Sequence, residues 1–173
     1  MEYALSLYFD EKSEAALNAL IMLAAKSSGN SYMIDHKIPP HITISYFTTD
    51  NIDNVVELVG KSTDNFPRGH IHWGSLGAFP PSVLFATPVT NPYLLSLNQT
   101  ATSILSRFVT FNDLYQPSLW IPHTSLTAKL TFAEMTNCFS ALAGAFIPID
   151  GTAIKLAVGS CEPYSDIEVF ELY

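Results

Sequence analysis

The segment Pro39-Pro40-His41-Ile42-Thr43-Ile44-Ser45 is echoed by Ile121-Pro122-His123-Thr124-Ser125-Leu126-Thr127. Both read proline, histidine, any residue, hydroxyl, apolar residue. The histidines lie 123 − 41 = 82 positions apart in a chain of 173 residues, close to half its length. A pattern repeated at that distance points to one domain over 1–173 made of two related halves, about 1–90 and 91–173. A chain this long suits a single domain with a real hydrophobic core.

Periodicity supports the duplication. Tyr3 to Phe9 is an apolar run bounded by Asp10-Glu11-Lys12, which predicts a buried strand. From Ser13, the expected cap, Leu17, Leu20, Ile21 and Ala24 recur at helical spacing until Gly29. The strand His41–Phe47 follows, then a helix from about Asn51 to Val59. Ile71–Phe79 and Val83–Val89 are expected to form a hairpin around Pro80-Pro81. After Asn91-Pro92 the order begins again: a helix over Tyr93–Phe108, a strand over Trp120–Lys129, a helix over Phe132–Ala145, and a hairpin of Thr152–Val158 with Ile167–Leu172. The reading is an α+β chain, β-α-β-α-β-β, whose α-β-α-β-β portion is repeated.

Composition narrows the partners. There are 8 Lys+Arg against 16 Asp+Glu, a net charge of −8, and the cations are not clustered. Long duplex nucleic acid, gripped through its phosphates, is therefore excluded as a partner. Cys138 and Cys161 form no C-x-x-C pair, so reduced thiols and a cytoplasmic location are expected. The first apolar run ends at Asp10, too short and too acidic for a signal peptide, and no window reaches membrane-span length. The sequence leaves the oligomeric state open, and a monomer is compatible with it.

Strand side chains alternate faces, so His41 and Thr43 are expected to share one, about 7 Å apart along the backbone. His123, Ser125 and Thr127 are expected to do the same, and by the same parity Phe47 and Lys129 join the histidine faces. Two imidazoles titrating near neutral pH can take and give a proton in one turnover. Hydroxyls from Thr43 and Ser125 can donate to phosphate oxygens without adding charge. No metal or cofactor is required, and no carboxylate cluster suggests one. A lone histidine in an apolar strand is ordinarily a core residue; what argues for a site is the pair, matched in proline, hydroxyl and place in the repeat.

At His41-Ile42-Thr43-Ile44 and His123-Thr124-Ser125-Leu126 the chain resembles the 2H phosphoesterases, whose members include RNA 2′,3′-cyclic phosphodiesterases, also called 2′-5′ RNA ligases. Gly74-Ser75-Leu76-Gly77-Ala78-Phe79-Pro80 and Val83-Leu84-Phe85-Ala86 look like that family's hairpin after the first motif. The resemblance implies a bilobed fold of two antiparallel sheets, helices outside and a cleft between the lobes. It also implies metal-independent chemistry at phosphodiester bonds, with His41 and His123 as the acid–base pair and Thr43 and Ser125 holding the phosphate. The expected partner is a small cyclic phosphate, a nucleotide or a short RNA end. The alternatives are a non-catalytic phosphate-binding module and an RNA-end ligase running the reverse reaction. RNA-processing members often carry an arginine shortly after the second motif, where this chain has Thr127-Ala128-Lys129.

Other residues invite weaker readings. His70 and His72 share a strand face without an expected third ligand and are read as an exposed pair; His36 is given no role. Tyr46, Phe47, Trp73, Phe79 and Trp120 could stack on a base. Phe47 is the best placed of them by strand parity.

Overall fold

A computed structural model describes all 173 residues. The first strand, β1 (Glu2–Phe9), alternates buried Tyr3, Leu5, Leu7 and Phe9 with Ala4, Ser6 and Tyr8 on the opposite face. The helix α1 (Glu11–Ser28) follows. Its cap is Asp10 rather than Ser13: the Asp10 carboxylate accepts from Ser13 N at 3.1 Å and from Thr152 N at 2.6 Å. One side chain thus starts the helix and ties it to the sheet. Burial pushes the Asp10 pKa up, but the hydrogen bonds from Thr152 and Ser13 outweigh it, and the net shift is downward. Gly29, at φ 75°, ends the helix with its N–H on the Ala25 carbonyl.

A single turn of helix, α2 (Tyr32–Asp35), leads to β2 (Ile42–Thr48), and α3 (Ile52–Gly60) to the hairpin of β3 (Gly69–Phe79) and β4 (Val83–Pro88). The second half begins with α4 (Pro92–Leu105), capped by Asn91 with Pro92 in its first turn as expected. Then come β5 (Thr110–Phe111), β6 (Thr124–Thr127), α5 (Phe132–Ala145, closed by a Thr131–Glu134 capping box), β7 (Ile149–Cys161) and β8 (Tyr164–Glu171). Sequence periodicity misses α2 and β5, which are too short to show any. It also overextends the second histidine strand.

The chain is α+β with an antiparallel sheet, as expected, but its eight strands form one hydrogen-bonded network in place of two sheets. The order is β5-β2-β1-β7-β3-β4-β6, with β8 also on β7. The reason is β7, long enough at 13 residues to serve both sides: its start pairs β3 and the rest pairs β1 and β8. The two sequence halves are also interleaved. β6, from the second half, pairs β4 from the first, while β2 sits beside β1, which is paired with β7. Helix α1 packs on α5 and on β6 and β7, α4 packs on β2, and β2 contacts β6 although they lie near opposite ends of the strand order. The sheet therefore curls, bringing its two histidine segments together. Leu17, Ile21 and Ala24 of α1 join Leu5, Leu7, Ile42, Ile44 and Leu126 in the core. Each large aliphatic buried there contributes roughly 1.5–3 kcal/mol.

Candidate active site

Both histidines stand immediately before a strand, His41 before β2 and His123 before β6. The backbone holds each ring the same way. His41 Nδ1 donates to the Pro39 carbonyl at 2.8 Å, and His123 Nδ1 donates to the Ile121 carbonyl at 2.8 Å. A carbonyl only accepts, so Nδ1 carries the proton in both and Nε2 is left as the free nitrogen. The proline between carbonyl and histidine fixes φ and keeps its predecessor extended, which presents that carbonyl to the ring.

The hydroxyls arrive by the expected alternation. His41, Thr43, His123 and Ser125 all line one cleft of about 200 Å³. Its floor is made of small side chains in register across three strands. Thr43 is paired with Ser6 and Ser6 with Ala157, while Ala4 faces Gly159. Thr43 Oγ1 and Ser6 Oγ lie 3.4 Å apart. Larger residues at Ala4, Ser6, Ala157 or Gly159 would fill the space.

Beyond the hydroxyls the alternation breaks, in both strands at the same place. In β2, Leu5 pairs with Ser45 and Ser6 with Thr43, so Ile44 is an extra residue. In β6, Thr127 pairs with Leu84 and Ser125 with Phe85, so Leu126 is the extra residue. Each is a β-bulge one position after the motif hydroxyl. Parity flips there, and Tyr46 and Ala128 line the cleft. Phe47 does not: it is 1% exposed and stacks on Tyr3 in the core, so it offers no surface to a base. Thr127 is buried too. Lys129 leaves the strand at φ 58° and bonds Glu162 Oε1 at 3.0 Å, with Nζ 4.6 Å from the Tyr32 ring centroid.

The β2 bulge is held from across the molecule. Asn98 of α4 donates to the Ile44 carbonyl at 2.8 Å, and Trp120 Nε1 donates to the Thr43 carbonyl at 3.0 Å. Trp73 Nε1 donates to Thr124 Oγ1 at 2.9 Å in the other motif. Trp73 and Trp120 therefore act as buried hydrogen-bonded struts; Trp73 offers no stacking surface, whereas Trp120 also lines the apolar groove beside His123. Each reaches from one half of the sequence to the motif of the other.

The surroundings of the two rings differ. His123 lies edge-on to Phe79 at 4.9 Å between centroids and beside Phe85 at 5.2 Å. His41 lies 5.8 Å from the Tyr164 ring. Tyr8 O–H donates to Asp166 Oδ1 at 2.6 Å, which leaves Tyr164 O–H to donate to Tyr8. Burial lowers the pKa of both histidines. For His41 the Pro39 carbonyl and the Asp166 charge oppose that effect. For His123 the Ile121 carbonyl opposes it, while a charge on His41 adds to it. Burial also pushes the Tyr164 hydroxyl up to about 12, keeping it protonated. Tyr46 and Tyr115 stack at 5.5 Å on the cleft wall, where Cys161, pushed up to about 11 by burial, is a thiol and not a thiolate.

His70 and His72 lie outside the cleft and share Asp150 Oδ1, at 3.0 and 2.8 Å. Asp150 faces His72 from β7, a third partner that the sequence does not announce. No group of three or more His, Cys, Asp or Glu is arranged to hold a metal ion, and no helix is long and apolar enough to cross a membrane. His36 Nδ1 donates to the Tyr32 carbonyl at 2.9 Å, and its ring packs on the Tyr32 ring at 4.2 Å between centroids.

No protein-family model matches the sequence, and no curated protein matches it. Solved structures do match in shape. TT0787 of Thermus thermophilus superimposes with a TM-score of 0.65 at 15% identity, over 99% of this chain and 98% of that one. E. coli LigT in complex with 3′-AMP gives 0.58 at 11% identity, over 99% and 96%. A phosphoesterase crystal structure gives 0.60 at 12% identity, over 99% and 97%. The chain has the LigT fold. The α+β antiparallel architecture that the resemblance to the 2H phosphoesterases implies is present over nearly the whole of both chains, although its strands form one sheet. LigT has also been crystallised with phosphate, ATP and NADP+. On this chain's version of the fold, no lysine or arginine contributes to the cleft lining.

Proposed function

We propose that the protein is a metal-independent phosphodiesterase that opens a cyclic phosphate with water, using His41 and His123 as the acid–base pair. The observation that carries this reading is the convergence of two Nε2-free imidazoles and two hydroxyls on one cleft from strands far apart in sequence. Thr43 and Ser125 donate to the non-bridging oxygens. One imidazole takes a proton from water as its oxygen bonds phosphorus; the other gives a proton to the ester oxygen as its bond to phosphorus breaks. The product is a phosphomonoester beside a free hydroxyl. The charges favour the proton on His41, which faces Asp166, so His41 is assigned as acid and His123, between Phe79 and Phe85, as base.

Hydrolysis of adenosine 2′,3′-cyclic monophosphate tests this. Activity should survive EDTA and fall at least about 10³-fold in His41→Ala and in His123→Ala, the combined size of proton-transfer and positioning effects. Because burial lowers both histidine pKa values, the bell-shaped pH profile should be centred below 6.5. Full activity in either variant would refute the mechanism. Tight binding without turnover would move the protein to the phosphate-binding module that the sequence also allows.

A further inference from the structure

The two flanks of the phosphate position carry different chemistry, and together they specify the rest of the substrate. On the His41 flank, Asp166 of β8 pairs with Gly159, which pairs with Ala4, so the carboxylate stands in the same cross-strand row as the cleft floor. Gly159 lets the row close up: a Cβ there would meet the Ser165 carbonyl at 2.8 Å and would sit 3.5 Å from Asp166 Oδ1. The Tyr8 hydroxyl fixes Oδ1, and Oδ2 has no protein partner. Apart from the His41 ring when it is protonated, no cationic side chain offsets this charge. The cleft lining contains no lysine or arginine, and Lys129, which follows the second motif, is engaged by Glu162.

On the His123 flank the cleft continues into an apolar groove of about 370 Å³ that shares Tyr115, His123 and Ser125 with it. Its walls are Phe79, Leu114, Leu119 and Ile121, and apart from His123 it has no ionisable group other than the Tyr115 hydroxyl. Three of these, Leu114, Leu119 and Ile121, are large apolar side chains left exposed to solvent. A flat or apolar group lodged there would remove that surface from water.

Building on the phosphodiesterase reading, we infer that the substrate is a phosphodiester with one phosphate and an uncharged remainder. Its apolar part lies in the groove beside His123, and Asp166 accepts from a hydroxyl or amine on the other side and repels any second phosphate. Two charges about 7 Å apart at an effective dielectric of about 40 repel enough to lower affinity roughly tenfold per unit charge. The substrate class is thus the nucleoside cyclic monophosphate or a similar neutral-tailed ester, not the end of an oligonucleotide.

The test compares adenosine 2′,3′-cyclic monophosphate with the same molecule carrying a 5′-phosphate, on the wild type and on Asp166→Asn. Asparagine retains an acceptor for Tyr8, and an unchanged melting temperature checks the fold. The wild type should prefer the singly phosphorylated compound by at least about tenfold in kcat/KM, more at low salt than at high. Asp166→Asn should narrow that ratio about three- to tenfold; any change in His41 affects both substrates and cancels in the ratio. Calorimetric binding of adenosine 3′-phosphate against adenosine 3′,5′-bisphosphate should show the same preference and the same narrowing. An equal response to both compounds, or a ratio indifferent to Asp166→Asn, would overturn the inference. If neither cyclic compound is turned over, the phosphodiesterase reading fails, while the binding pair still decides on charge selection.

Discussion

Replacing both cleft histidines by asparagine separates their burial from every other acid-sensitive feature of the protein. Asn Nδ2 can donate to the Pro39 and Ile121 carbonyls in place of Nδ1, so the local hydrogen bonds survive. What disappears is titration. In the unfolded chain each histidine binds its proton near the ordinary value of 6.5; in the folded protein burial depresses that value for both. A histidine depressed in this way leaves stability intact above 6.5. As pH falls below 6.5, the unfolded chain gains protons that the folded one refuses, and stability drops until the folded pKa is reached. At pH 5.5, one unit below the unfolded value, the loss is at most about 1.4 kcal/mol per histidine, or about 3 kcal/mol for the two. Urea unfolding at pH 7.5 and 5.5 measures it. The wild type should lose up to that much more stability on acidification than His41→Asn/His123→Asn, because His36, His70 and His72 are present in both proteins and cancel. Parallel losses in the two proteins would show that the rings are solvated in the folded state, and the physical basis for the acidic rate optimum would go with them.

Further substitutions probe the packing behind the site. An alanine at Gly77 would drive its Cβ into the Phe85 ring, whose face supports His123, so Gly77→Ala should cost about 1–3 kcal/mol and lower kcat/KM at least about tenfold; thermal melts and initial rates matching the wild type would contradict it. Ser45 Oγ and Thr127 Oγ1 are buried without a partner, so Ser45→Ala and Thr127→Val should each raise stability by about 1 kcal/mol. A loss on urea titration would mean that each hydroxyl has a partner, such as a bound water.

The order of helices and strands was legible because each long element carries a local signal, helical spacing from Leu17 to Ala24 and a bounded apolar run from Tyr3 to Phe9. That proline, histidine and hydroxyl would meet at one candidate site was legible, since a strand period of two relates His41 to Thr43 and His123 to Ser125 wherever the strand is placed. The remainder depends on pairing. Asp166 is 125 residues beyond His41 (166 − 41 = 125) and reaches the cleft only through the β7–β8 register. Asp150 meets His72 by the same kind of long-range pairing, and the single sheet follows from β7 serving two neighbours along one edge. None of these leaves a local pattern in the chain.

Phe47 shows where local reasoning ends and why. Its assignment to the cleft assumed an unbroken strand from His41, whereas both histidine strands gain a residue at the same point, Ile44 and Leu126. A bulge bends its strand and increases local twist, which suits strands near the two ends of a curled sheet that must turn towards one another. The extra residue also frees backbone groups, and the tryptophan and asparagine that answer them bind across the sequence halves, Trp120 to Thr43 and Asn98 to Ile44. The same distortion therefore shapes the cleft and locks its two walls together. It also breaks the cleft's symmetry. The flip brings the residue three after each hydroxyl to the wall; on β2 that residue is Tyr46, stacked on Tyr115, and after β6 it is Ala128. One wall presents a ring and the other a methyl group. On the phosphodiesterase reading proposed above, two motifs matched in residue type would therefore hold a substrate in one orientation, with His41 and His123 acting on it from different environments.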